Sequence, residues 1–179
     1  MMHSFKDISP KVHETAFIAD GAVVIGDVEI GEDASIWPGA VVRGDVNSIR
    51  IGARSNLQDL CVVHVTHAGP YGPPGGFPTV IGEDVTIGHG AIIHACTIGD
   101  ACLIGMGAIL LDGARVEQNG FVGAGAVVAP GKVVGSGELW LGNPARCVRR
   151  LSEAEIGQLY YSAQHYLKLK DRYLGQLQD

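Results

Sequence analysis

An aliphatic residue recurs at every sixth position through most of this chain, and that spacing leaves few folds open. The steps run Ile18, Val24, Ile30, Ile36 and Val42, then, after three inserted residues, Ile51, Leu57 and Val63. A longer interruption follows, and the steps resume at Ile81, Ile87 and Ile93. One step of five then leads to Ile98, Ile104, Leu110, Val116, Val122 and Val128. All 17 positions are Ile, Leu or Val, and four residues beyond them 15 of 17 residues are small or slender, from Ala22 and Ala34 to Ala114 and Ala126, with Val46 and Thr97 among them. A six-residue period fits neither an amphipathic helix nor a long strand. It fits a short strand and a corner used repeatedly. The aliphatic side chain points into a narrow interior, and Gly, Asp or Asn supplies the corner.

Three such hexads close one triangular coil of about eighteen residues, and stacked coils bury one another's aliphatic side chains. Seventeen hexads make between five and six coils. Composition agrees. Glycine reaches 26 of 179 residues while aromatics are only 6%, which suits many corners around a slim core. The expected organisation is a lead-in and cap at 1–17, the coil at 18–146, and a C-terminal helical segment at 147–179. Within the last, Ser152 and Glu155 form a capping box that opens a helix over about 152–177. Its apolar stripe is Ile156, Leu159, Tyr160, Ala163, Leu167 and Leu174. Residues 67–80 hold four Pro and four Gly, and read as an excursion from the coil.

The net charge of −6 argues against a general nucleic-acid binder, which needs a basic face. No apolar run approaches a membrane-spanning length. The opening Met-Met-His-Ser-Phe-Lys-Asp has no signal-peptide core. Cys61, Cys96, Cys102 and Cys147 form no CxxC pair, so free thiols in the cytoplasm are expected.

The repeat also places side chains. Counting three hexads to a coil sets Val42, Val63 and Ile93 on one face of successive coils, provided that residues 67–80 use up no coil. The residues after them, Arg43, His64 and His94, then point outward. Coils stack about 4.8 Å apart, so the two imidazoles stand side by side. Two adjacent imidazoles suit Zn²⁺, although Fe²⁺ and Co²⁺ also accept them. A catalytic zinc takes a third protein ligand. His89 is the candidate, but it falls on the preceding face, where a neighbouring subunit can present it. A homotrimer with a metal at each interface follows as the expectation. His3, His13 and His165 read as ordinary surface residues. His67 either faces the site or only turns the chain.

The run Arg43-Gly44-Asp45, then Asn56-Leu57-Gln58-Asp59, then His64, then Gly88-His89-Gly90-Ala91-Ile92-Ile93-His94, resembles γ-class carbonic anhydrase and its bacterial carbonic-anhydrase-like relatives. The similarity extends from about residue 10 to the final helix. It implies a left-handed parallel β-helix of hexapeptide repeats. It also implies metal ligation by His64, His89 and His94, one of them from a neighbour, and reversible hydration of CO₂ to bicarbonate by a metal-bound hydroxide. In that family Arg43 and Asp45 would pair across the interface, Gln58 would hold the nucleophile or a bicarbonate oxygen, and Tyr161 would reach the pocket. Efficient members carry an acidic loop with a glutamate proton shuttle, whereas residues 67–80 contain no Asp or Glu, and His67 stands about where that glutamate would be. Two other readings suit the repeat. One is an acyltransferase using acyl-CoA with His64 or His89 as base. The other is a non-catalytic metal-binding assembly subunit.

Overall fold

The computed structural model describes residues 1–176 and shows a parallel β-helix followed by one long helix. Every one of the hexad positions except Ile18 is buried, so the six-residue step does mark the interior. Full burial of each such side chain contributes about 1.5–3 kcal/mol. The small residues behind them are buried too, with two informative exceptions. Val46 and Thr97 point outward. Both sit at a break in the step, where an inserted or missing residue turns the following side chain to the other surface.

Pairing starts ahead of Ile18, since Lys11–Val12 already runs parallel to Glu29 and Ile30. It also continues past Val128, through Val133–Val134 and Glu138–Gly142. One face carries seven parallel strands, more than five to six coils would place there. The six-residue step itself continues into these end rungs at Val12 and Val134, which the repeat count left out, and only at Trp140 does another residue type take the inward position.

The three faces differ in what they turn outward. The first presents Lys11, Glu29, Arg50, Val80, Thr97, Arg115 and Val133, and is mostly polar, laced by pairs such as Lys11–Glu29 and Arg50–Asp27. The second, running from Phe17–Ile18 through Asn56–Leu57 and Thr86–Ile87 to Phe121–Val122, is covered by the helix. The third presents a ladder of Val23, Val41, Val62, Ile92, Ile109 and Val127 in register, and among the described residues no helix packs over it. Val62 and Ile92 are 40% and 38% exposed. Close stacking leaves no room at some corners. A Cβ on Gly52 would stand 2.4 Å from the Gly82 carbonyl oxygen of the next coil, so only glycine fits there.

The helix, Glu153–Gln176, begins as its capping box requires. Glu155 Oε2 accepts from the Ser152 N–H at 2.8 Å, and Ser152 Oγ accepts from the Glu155 N–H at 3.3 Å. It packs on its own chain. Leu159 and Ala163 are buried, and Tyr166, Leu169 and Leu174 close over Phe17, Ala19 and Trp37. Tyr160, placed in the stripe from sequence, is instead exposed, because the buried line runs 159, 163, 166, 170. Lys170 belongs to that line. Its buried ammonium donates to Asp33 Oδ1 at 2.8 Å and to the Thr15 carbonyl at 3.1 Å.

That clamp makes helix docking depend on pH. The Lys170 hydrogen bond holds the Asp33 carboxyl below its ordinary 3.8. Burial pulls the Lys170 ammonium down, but hydrogen bonds to Asp33 and Asp171 outweigh it and raise the pKa above the ordinary 10.5. A lowered carboxyl stabilises the fold above its unfolded value, and the contribution fades as pH falls through the folded value. A raised amine stabilises below its unfolded value and is lost as pH rises through the folded one. Urea midpoints should therefore fall at both ends of the range, below about pH 4 and above about pH 10. Lys170→Met should flatten both limbs relative to wild type.

Cys61, Cys96 and Cys102 are buried, and burial pushes their thiols up to about 11, 12 and 12. Cys147 is exposed, its thiol also raised by desolvation and by the adjacent Glu138 carboxylate. Titration with a disulfide reagent at alkaline pH should thus find one reactive thiol per native chain and four after unfolding. Among the described residues, no helix is long and apolar enough to cross a membrane.

Candidate metal centre

His64 and His94 end the neighbouring strands Val62–His64 and Ile92–His94 and are direct register partners. Their inward partners Val63 and Ile93 are fully buried, which fixes both imidazoles on the outer surface. Val42 pairs with Val63, so Arg43 follows on the coil before. The excursion takes up no rung here, but it is shorter than 67–80, because Thr79 and Val80 already belong to the coil strand Thr79–Ile81. It leaves after Val65 and is pinched at its neck by paired backbone bonds between Thr66 and Phe77.

The two rings are tied outward to carboxylates. His64 Nε2 lies 3.0 Å from Asp45 Oδ1, and His94 Nδ1 lies 2.6 Å from Asp112 Oδ1. Burial pushes the Asp45 carboxyl up, but hydrogen bonds from His64 and Arg43 and the Arg43 charge bring it below the usual carboxylate range. Asp112 is likewise raised by burial and brought lower on balance by hydrogen bonds from Thr66 and His94. Both carboxylates are therefore ionised acceptors near neutral pH, so each ring must donate its outward N–H. In neutral rings that leaves His64 Nδ1 and His94 Nε2 bare, facing each other at 3.3 Å. Two lone pairs held this close are reconciled either by a shared proton or by a metal cation between them. Two nitrogens on one tetrahedral Zn²⁺, at about 2.0–2.1 Å each, stand roughly 3.3 Å apart. The donor set therefore fits the metal.

His89 does not join them. It lies at the corner after Thr86–Ile87, about half exposed, with Nδ1 2.7 Å from Asp59 Oδ2. Among the described residues of one chain, no three His, Cys, Asp or Glu side chains converge as a metal cage. Gln58 is buried beside His89. Its Oε1 accepts from the His89 backbone N–H at 3.2 Å, and its Nε2 donates to Asn56 Oδ1 at 3.2 Å. Asn56 in turn donates to Thr86 Oγ1, which donates to Ser162 Oγ on the helix. A groove of about 300 Å³ runs past Gln58, His89 and Ser162.

The remaining expected residues are scattered around this frame. Arg43 and Asp45 form an ion pair within one chain, two residues apart on one strand. His67 is exposed at the loop neck, lining a cavity of about 660 Å³ with Thr66, Tyr71, Phe77 and Asp112. Tyr161 is 72% exposed on the outward side of the helix, stacked on His165, and does not reach His64 and His94. Asp112 was not anticipated. Counting one coil on from His94 gives Leu111, with Asp112 just beyond it at the corner, where the repeat sets the rung but not the way the side chain turns.

Comparison with known proteins agrees with this frame. The six-repeat bacterial transferase hexapeptide pattern matches residues 9–44 and 78–111, on either side of the excursion, and carries the left-handed form of the coil. A probable carbonic anhydrase of Methanocaldococcus jannaschii is 53% identical over 154 residues, 86% of this chain and 92% of that protein. A mitochondrial γ carbonic anhydrase of Arabidopsis thaliana, γ carbonic anhydrase 2, is 47% identical over 91% of this chain, which spans 58% of that longer protein. The crystal structure of a hexapeptide transferase family protein from Anaplasma phagocytophilum superposes with a TM-score of 0.88 at 46% identity, covering 96% of this chain and 97% of that one.

Proposed function

This chain belongs to the γ carbonic anhydrase-like family of hexapeptide-repeat proteins, and from that premise we propose that it hydrates CO₂ to bicarbonate at metal centres shared between the subunits of a homotrimer. The observation that carries the reading is the pair of bare nitrogens, His64 Nδ1 and His94 Nε2, facing each other at 3.3 Å. The uncovered aliphatic ladder beside them supports a subunit contact on that face. A second copy docked there brings its own corner, and so its own His89, towards the pair. Soluble proteins seldom leave such a ladder in water.

When bound, zinc lowers the pKa of a coordinated water to about 7 and so supplies hydroxide for attack on CO₂. The chain's own groups supply the rest. Asp45, Asp59 and Asp112 each hold one imidazole in its ligating tautomer. Gln58 is fixed by Asn56 and the His89 backbone, and its second amide hydrogen is left to orient a reacting oxygen. Arg43, paired to Asp45, keeps that carboxylate charged. Tyr161 stands on the helix beside Ser162, at the outer end of the hydrogen-bonded chain from Gln58, and closes that side of the pocket only through a neighbouring subunit. His67 moves the released proton to buffer. The four free cysteines fit a reducing compartment, which we read as the cytoplasm.

The test is metal analysis of the trimer, followed by stopped-flow CO₂ hydration on zinc- and iron-loaded protein. One metal per chain and metal-dependent hydration are expected. Turnover of acetyl-CoA by metal-free protein would instead establish the acyltransferase reading. His67→Ala should lower kcat roughly 10²-fold in dilute buffer, with recovery on adding imidazole.

A further inference from the structure

We infer that Asp112 is the positioning residue of the metal ligand His94, and that Thr66 locks it in place from the neck of the excursion. The inference rests on the metal-centre reading above and goes beyond it in linking that centre to the loop. Asp112 reaches His94 Nδ1 with one oxygen, at 2.6 Å, and accepts from the Thr66 hydroxyl with the other. With both oxygens held, the carboxylate cannot rotate away from the ring. His94 must then carry its proton on Nδ1 and offer Nε2 towards His64, which is the ligating tautomer.

Thr66 is itself held from two sides. Its backbone exchanges two bonds of 3.0 Å with Phe77, closing the excursion. The Asn47 side chain clasps the neck, donating to the Thr66 carbonyl at 3.1 Å and to the Gly75 carbonyl at 2.8 Å. Gly76 is required at this closure, because a Cβ there would meet the Thr66 carbonyl oxygen at 2.2 Å. The neck is thus a rigid clasp, and one hydroxyl carries its position to the carboxylate behind His94. An excursion lacking Asp and Glu still acts on the centre, through its base and not its tip.

The experiment measures the zinc dissociation constant of the trimer by competition with a chromophoric chelator, for wild type, Asp112→Ala, Asp112→Asn and Thr66→Val. The visible spectrum of each Co²⁺-loaded form is recorded alongside. Asp112→Ala should bind zinc 10–100-fold more weakly. Asp112→Asn should fall between it and wild type, keeping a hydrogen-bond acceptor but no charge. Thr66→Val should weaken binding several-fold and alter the Co²⁺ bands while leaving the metal-free melting temperature near wild type. Should Asp112→Ala fail to fold, Thr66→Val decides alone. Unchanged zinc affinity and Co²⁺ spectrum in the folded variants, with tight wild-type binding, overturns the inference and leaves the metal centre standing. Absence of metal binding by wild type overturns both.

Discussion

Mixing inactive His64→Ala subunits with inactive His89→Ala subunits should restore CO₂ hydration. Each variant alone lacks one ligand at every centre. Removing a group behind a ligand already costs 10–100-fold, so losing the ligand itself should cost at least about 10²-fold. In the proposed ring of three, each centre would take His64 and His94 from one subunit and His89 from the next. A centre is whole when the first subunit is the His89 variant and the next is the His64 variant. Random equal mixing satisfies this at about one centre in four, which sets the expected recovery near a quarter of wild-type activity. Recovery requires exchange, so the subunits are mixed unfolded and refolded together. A centre built within one chain gives no recovery at any ratio, and so does a protein whose third ligand is not His89.

The second large effect is on stability. Ile93→Ala should cost about 2–5 kcal/mol, read as a lower urea midpoint at unchanged slope. Ile93 is fully buried at the centre of the coil, stacked between Val63 and Leu110 in a single row of aliphatic side chains. The rungs above and below are hydrogen-bonded in place, so the gap cannot collapse. The same change loosens the strand that ends at His94, and zinc affinity should fall with it. Ile92→Ala, one residue away on the outer ladder, is the contrasting case. It should leave the isolated coil nearly as stable and shift the protein from trimer towards monomer on gel filtration.

The coil and the pairing of His64 with His94 were legible because both follow from counting. Burial of an aliphatic residue every six positions sets rung and face together, and the next residue must point out. What counting could not reach lies at breaks and ends. The outer rung at Glu138–Gly142 puts Trp140 where the rule expects an aliphatic residue, although Val12 at the other end keeps the step. Tyr160 fits a helical stripe on paper, yet Lys170 is the residue buried, because Asp33 and the Thr15 carbonyl wait for its charge on the coil. Such a partner lies more than 130 positions away in the chain and leaves no local trace. Asp112 was overlooked for a related reason. It follows the ladder position by one residue and turns back at the corner, where the period carries no rule for side-chain direction.

The returning helix has a consequence for how the molecule is made. Its far end lies on the opening coil, with Tyr173 against Phe17 and Trp37, and Lys170 gripping Thr15 and Asp33. Residues of the opening coil are therefore fastened by residues that leave the ribosome well over a hundred positions later. Until the helix is released, the opening coil has an apolar face at Phe17 and Trp37 open to any neighbouring nascent chain. Deleting the helix from Lys170 onward should thus fray the coil at Thr15, Phe17 and Asp33, at the far end of the prism from where the helix begins.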